Sequence, residues 1–354
     1  MRKEPLVSEF AIPSPDAAAR DAAQQRLDGL VKPLGSLGRL EELAAWLSAA
    51  HGEVPPRPIE NVRVVVFAGD HGVTTSQVSA YPAEITAAMV RVFLSGVSGV
   101  NVLARQVGAD VRVVDIGVDA DLDDVPEPVR AHKIRRGSGA IDTTDALAPG
   151  EAQRAFDAGR AIADAECDSG ADLLVPGDMG IGNTTVAAAL VAGALGLPAE
   201  DVVGTGTGVD DDGRARKVAV VEAALARAGE RTAQPFELLT ALGSACAAAT
   251  AGFLVQGAVR GVPVLLDGVF SCAAAVVAAD IAPDAAQWWL AGHRSTEPSQ
   301  AYALKSLGLE PILDFGLRLG EGSGAVQAVP TLRAARAIIA EMGLLADIAP
   351  PDQA

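Results

Sequence analysis

Two carboxylates in this chain sit inside glycine-rich turns. Asp178 lies in Pro176-Gly177-Asp178-Met179-Gly180-Ile181-Gly182-Asn183-Thr184-Thr185, and Glu321 in Leu317-Arg318-Leu319-Gly320-Glu321-Gly322-Ser323-Gly324-Ala325. Gly177, Gly180 and Gly182 are free to take positive φ and let another molecule approach the backbone, and Asn183 or Thr184 can cap a helix beginning at Val186. Free N–H groups at such a helix start suit a phosphate, so a carboxylate beside them should face a different part of the ligand. Capping of nearby backbone groups explains either carboxylate alone. As a pair, in a cleft rich in N–H donors, they suit the binding of a phosphorylated small molecule and the movement of one proton.

Other residues extend this set. Gly204-Thr205-Gly206-Thr207-Gly208 leads into Asp210, Asp211, Arg214 and Lys217, and Lys217 is either a solvated helix-surface lysine or long enough to reach back to a bound anion. Arg294, in His293-Arg294-Ser295-Thr296-Glu297-Pro298, is either a salt-bridged loop residue or an anion clamp. Asp70-His71 invites a metal, but His51, His132 and His293 are scattered and form no ligand spacing, so the pair is expected to shape a cleft wall. There is no G-x-S-x-G elbow, no dinucleotide fingerprint and no P-loop lysine, so no covalent nucleophile, metal or cofactor is expected.

These residues need elements to position them. From Asn61 onward, short β-branched runs alternate with helices, at residues 62–67, 111–114, 173–175, 202–203, 262–266 and 288–291. Such alternation predicts an α/β fold with a doubly wound, mainly parallel sheet. Glycine and polar residues follow each run, and in open α/β sheets ligands bind outside the carboxyl ends of the strands. The six loops should therefore share one cleft. Residues 16–30 and Arg39–His51 read as amphipathic helices ended by Pro55-Pro56-Arg57-Pro58, and a last helix is expected from about Thr331 to Met342. Together they predict a small helical domain of residues 1–58 with 329–354, beside a large α/β domain of residues 59–328.

At 354 residues and 49% hydrophobic, the chain can bury a large core, and with 37 glycines and 4% aromatics its helices should pack closely through small residues. A formal charge of −17 without a basic block argues against nucleic acid and anionic membrane as partners. Cys167, Cys246 and Cys272 lack C-x-x-C spacing and read as reduced core residues of a cytoplasmic protein. The opening Met-Arg-Lys-Glu-Pro shows no secretory signal. The apolar stretches Ala245–Val259 and Val269–Ile281 fall short of a membrane span and predict buried helices.

Seven motifs, in order, cover nearly the whole chain: Lys32-Pro33-Leu34-Gly35-Ser36-Leu37-Gly38, Phe67-Ala68-Gly69-Asp70-His71-Gly72-Val73, Ser79-Ala80-Tyr81-Pro82, Asn101-Val102-Leu103-Ala104-Arg105-Gln106, Gly180-Ile181-Gly182-Asn183-Thr184-Thr185, His293-Arg294-Ser295 and Leu319-Gly320-Glu321-Gly322-Ser323-Gly324. Together they resemble the nicotinate-nucleotide:dimethylbenzimidazole phosphoribosyltransferases. The resemblance implies transfer of ribose 5-phosphate from nicotinate mononucleotide to a benzimidazole, by a homodimer with a Rossmann-like large domain and a small domain from both termini. It also implies Glu321 as general base, Asp178 as the second acidic residue and Lys217 as the helix lysine. Phosphate contacts would come from Gly180, Gly182, Asn183 and Thr184, from Gly204, Gly206 and Gly208, and from Ser295. Ser79, Gly177, Met179 and Leu319 complete the implied substrate site. Family members usually carry Glu where this chain has Asp178, which withdraws that carboxylate by one methylene, roughly 1.5 Å.

Overall fold

A computed structural model describes residues 10–348. The strands are β1 (Val62–Gly69), β2 (Asp110–Gly117), β3 (Leu173–Met179), β4 (Val264–Leu266), β5 (Trp289–His293) and β6 (Pro311–Leu313). They form one parallel sheet in the order β2-β1-β3-β4-β5-β6. The helices are α1 (Ala17–Asp28), α2 (Arg39–His51), α3 (Ile85–Leu94), α4 (Gly99–Val107), α5 (Glu127–Arg130), α6 (Glu151–Asp168), α7 (Asn183–Leu195), α8 (Ala199–Val202), α9 (Asp211–Ala228), α10 (Pro235–Leu242), α11 (Ala245–Val259), α12 (Val269–Ile281), α13 (Pro298–Leu307), α14 (Ser323–Glu341) and α15 (Leu345–Ile348).

Alternation along β1 shows why the sheet is covered on both faces. Val65 and Phe67 enter the core shared with α6, α7, α11 and α12, whereas Val62, Val64, Val66 and Ala68 enter the core shared with α1, α2 and α14. Strands buried on both sides can carry continuous apolar runs, as β1 does over Val64, Val65, Val66, Phe67 and Ala68. The chain winds outward from β1 to β2, then returns to β3 and continues the other way. That reversal opens a crevice at the carboxyl ends of β1 and β3.

Several elements differ from the expectation, each for a local reason. Residues 202–203 are not a strand: a helical turn after Pro198 buries Val202, and Val203 follows it into the same core. β3 continues past Val175 to Met179, so Asp178 stands on the strand, opposite Phe67, rather than in the turn. The edge strand β6 is short, half-buried and begins with proline, and it carries no alternating pattern to read. α7 begins at Asn183 with Gly182 at its cap, at φ 90°, so neither Asn183 nor Thr184 caps it. α14 begins at Ser323, ahead of Thr331, and therefore runs through residue 328, where the sequence places a boundary.

The first described residues and the last helices meet. Val31 N–H donates to Gly343 O at 2.9 Å, Leu345 N–H to Gly29 O at 2.9 Å, and Arg26 to Ile339 O at 2.6 Å. Residues 1–9 and 349–354, the outer ends of the small-domain expectation and the opening residues read for a leader, lie outside the described residues. α11 and α12 are buried helices holding Cys246 and Cys272, as their apolar runs predict. Residues 85–107 are long and apolar enough to span a bilayer by composition, a stretch the sequence reading passed over. The chain breaks there into α3 and α4 around Gly96, at φ 75°.

Small-residue packing is tightest between α6 and α11. A Cβ at Gly159 would lie 1.8 Å from Ala249 O, and one at Gly252 would lie 1.9 Å from Phe156 O. The helices touch backbone to backbone at these points, so no side-chain adjustment makes room. Gly252→Ala is expected to lower stability by about 2–3 kcal/mol through overpacking, read as a fall in the urea midpoint with an unchanged slope.

Candidate active site

At the carboxyl end of the sheet is a cavity of about 300 Å³. The ends of β3 and β5, the turns at Gly206, Gly268 and Gly320, and the entry to α3 line it. The Asp70-His71 turn directly after β1 and the loop after β2 do not line it; from the long β1–α3 connection Tyr81 does. His71 instead lies beneath the floor, 2.8 Å from where a Cβ on Gly180 would stand, and packs its ring against Phe270. Burial pushes the His71 imidazole down to about 4, so it is neutral at physiological pH. Asp70 Oδ2 accepts the Asp119 N–H at 2.8 Å.

One wall carries the carboxylates. Asp178 is buried at 6% exposure, and the Asn183 side-chain amide donates to its Oδ2. Its pKa is pushed up to about 7: burial is the main cause, the charges of Asp267 and Glu321 add to it, and the Asn183 hydrogen bond opposes. Glu321 is also buried, with φ at 65°, between Gly320 at 80° and Gly322 at 94°. A non-glycine residue in this region costs about 1–2 kcal/mol. The turn is held close to β3: a Cβ at Gly177 would lie 2.2 Å from Glu321 O, and Glu321 N–H donates to Asp178 O at 3.3 Å. Glu321 Oε2 accepts the Val100 N–H at 2.9 Å, in the first turn of α4. Burial raises the Glu321 pKa, the Val100 hydrogen bond opposes, and the charge of Asp267 adds to the rise.

A second wall is rich in polar hydrogen. Lys217 is fully buried in α9, not solvated, and its Nζ donates to Thr184 Oγ1 at 2.9 Å. Burial lowers the Lys217 pKa, partly offset by Glu297, and Arg214 adds to the fall. Glu297 Oε1 accepts the Gly206 N–H at 2.7 Å, and Arg318 donates to Gly206 O at 2.8 Å, which fixes the glycine loop from both sides. Ser295 stands at the end of β5, its N–H held by Gln300. Arg294 points away and pairs with Asp314 at 3.4 Å, both half-exposed, which settles its two readings in favour of the salt bridge. The third side is apolar, made by Tyr81, Ile85, Met89, Met179 and Leu319.

Of the residues expected at the site, Asp178, Met179, Gly180, Asn183, Thr184, Gly206, Ser295, Leu319 and Glu321 line the cavity together. The others stand one layer back. Lys217 lies behind Thr184, Gly177 under Glu321, Gly182 against Val73 and Thr74, Gly204 against Glu297, and Gly208 beside Arg318. Ser79 approaches Thr207 Oγ1 at 3.4 Å. The sequence reading gave no role to Glu297, Arg318 or Asp267; all three act by holding loops, and only the position of Asp267 at a strand end hinted at the cleft.

A profile described as Phosphoribosyltransferase matches residues 12–348 of the chain. A nicotinate-nucleotide–dimethylbenzimidazole phosphoribosyltransferase of Mycolicibacterium paratuberculosis is 55% identical over 339 residues, 96% of this chain and 97% of the relative. One from Mycobacterium marinum is 53% identical over 342 residues, 97% and 95% of the two chains. The crystal structure of the Thermus thermophilus nicotinate-nucleotide–dimethylbenzimidazole phosphoribosyltransferase superposes with a TM-score of 0.89 at 42% identity, covering 95% of this chain and 99% of that one.

The raised proton affinity of Asp178 carries a stability consequence. Its carboxyl titrates near 7 when folded and near ~3.9 when unfolded, so the folded state holds the proton more tightly. The stability this group supports is complete below about pH 4 and is lost as pH rises through about 7. Asp178→Asn is expected to be more stable than the parent at pH 8, by on the order of 2–4 kcal/mol, and equal to it near pH 4. Urea midpoints at the two pH values test this.

Proposed function

The chain belongs to the nicotinate-nucleotide–dimethylbenzimidazole phosphoribosyltransferase family and performs its reaction, and we propose that the cavity at the carboxyl end of the sheet is where it does so. Ribose 5-phosphate passes from nicotinate mononucleotide to 5,6-dimethylbenzimidazole, giving α-ribazole 5'-phosphate and nicotinate. The observation that carries the site assignment is Glu321: a buried carboxylate between a wall of amides and hydroxyls and a wall of apolar side chains.

The chemistry follows from the substrates. The sugar carbon is bonded to a pyridinium nitrogen, so when that bond breaks its electron pair returns to the ring and nicotinate leaves without needing an acid. The benzimidazole nitrogen attacks from the opposite face, which inverts the anomeric carbon. The product ring would carry a positive charge unless its other N–H gives up the proton, and Glu321 accepts it. Burial raises the affinity of Glu321 for that proton, which suits a proton acceptor. Asp178 adds a second carboxylate beside the cationic sugar, where positive charge develops.

The phosphate fits the polar wall, with Gly180, Asn183, Thr184, Gly206 and Ser295 around it and Lys217 behind Thr184. Gly177, Gly182, Gly204 and Gly208 serve by allowing the turns. The acceptor ring fits between Met179 and Leu319, near Ser79. The exposed apolar residues Leu94, Val97 and Val102 on and between α3 and α4 support a homodimer through that face. The bonds from residues 26–31 to residues 339–345 support a small domain built from the N- and C-terminal segments beside the large α/β domain.

The test is direct. Nicotinate release from nicotinate mononucleotide is expected only when 5,6-dimethylbenzimidazole is present, followed by chromatography. Glu321→Gln is expected to lower kcat by about 10²–10⁴-fold while leaving nicotinate mononucleotide binding intact. A variant with the parental rate would remove Glu321 from the role.

A further inference from the structure

Glu321 sits in a conformation that ordinary residues avoid, between two glycines also in the left-handed region. Something must hold it there. The turn is followed at once by α14, a helix whose cap residue is Gly322 and has no side chain to satisfy the first N–H groups. Gly322 cannot be replaced by a capping residue, because a Cβ there would lie 2.9 Å from Val64 Cγ1 and φ is 94°.

The cap is supplied from another element. Asp267, fully buried at the end of β4, accepts the Gly322 N–H at 3.1 Å on Oδ2 and the Ala325 N–H at 2.9 Å on Oδ1. Asp267 is itself held: its N–H donates to Ser271 Oγ at 3.0 Å and its carbonyl accepts from Gln300 Nε2 at 3.1 Å. His293 Nε2, from β5, lies 3.4 Å from Asp267 Oδ1. The His293 ring is buried against Gly324, where a Cβ would lie 2.0 Å from it.

We propose that Asp267 is a positioning residue for the transfer reaction, clamping the Glu321 turn through amides on its far side and setting the electrostatic field in which that carboxylate works. The proposal rests on Glu321 being the base. Asp267 touches neither substrate; it acts through the turn and through its charge. The charged and titratable groups facing Glu321 are Asp178 on β3, Asp267 on β4 and His293 on β5, with Arg318 on its own loop; from α4 it meets the Val100 backbone N–H. The charge of Asp267 raises the proton affinity of both Asp178 and Glu321, and it also raises that of the His293 imidazole 3.4 Å away. Because the charge of Asp267 acts in the same direction on Asp178 and on Glu321, its loss moves the acid limb of the rate profile one way whichever carboxylate sets it.

Asp267→Asn keeps the shape and one acceptor but removes the charge. The expected result is a kcat lowered about tenfold, a KM for nicotinate mononucleotide within about twofold of the parent, and an acid limb of kcat/KM moved to lower pH by about half to one unit. His293→Gln is an independent variant that keeps Asp267 and its two amide donors and removes a group able to carry positive charge beside that carboxylate, so its acid limb should move to higher pH. A folded Asp267→Asn enzyme with parental kcat and an unmoved limb would overturn the proposal. If that variant does not fold, an unmoved limb in His293→Gln overturns it. Glu321→Gln assayed alongside separates the two ideas: activity retained there removes the base assignment, whereas activity lost there with Asp267→Asn unaffected removes only the clamp.

Discussion

A carboxylate taken from water into a protein interior loses several kcal/mol of hydration, and three of them here, Asp178, Asp267 and Glu321, share one end of a cleft at 6%, 0% and 5% exposure. What makes this tolerable is backbone. Asp267 takes two N–H groups from the start of α14, Glu321 one from the start of α4, and Asp178 the side-chain amide of Asn183 at the start of α7. Each carboxylate is met at the positive end of a helix, where the macrodipole favours negative charge. Compensation is incomplete by design of the geometry: Asp178 and Glu321 remain better proton acceptors than their free forms, and a proton-accepting step requires that.

The glycines around the cleft follow from the same constraint. Three helix starts and two strand ends must converge within hydrogen-bond distance of small carboxylates. Gly177 under the Glu321 carbonyl, Gly99 beneath Leu319 and Gly324 against His293 are places where a single extra carbon would meet an atom at 2.0 to 2.6 Å. The alanine and glycine richness of the chain is therefore partly a record of how close its backbones run, as in the α6 and α11 contact.

Much of this was written in the residue pattern. The β-branched runs of β1 to β5 and the glycine punctuation after them announced a parallel sheet with its cleft at the carboxyl ends, and Glu321 and Asp178 declared themselves as acids among glycines. What escaped had no periodic or compositional mark. Val202 and Val203 look like a strand because burial, not extended backbone, selects valine there. β6 is too short and too half-buried to alternate. Lys217 keeps two readings in the sequence, solvated or reaching back to an anion, because nothing local reveals that α9 turns it inward toward Thr184. Asp267 and Glu297 were overlooked because their partners, Gly322 with Ala325 and Gly206, lie 55, 58 and 91 residues away.

α14 joins matters that seem separate. Its first turn carries the Glu321 loop; its far end lies against Gly29, Val31 and Arg26 through the residues that follow it. At 1.5 Å per residue, such a helix is a rod of roughly 30 Å. Selection on the seat of a proton acceptor thus reaches, along one helix, to the packing of α1 and the turn after it against the residues that close α14. Sequence drift near the termini is mechanically answerable to chemistry at the opposite end of the molecule.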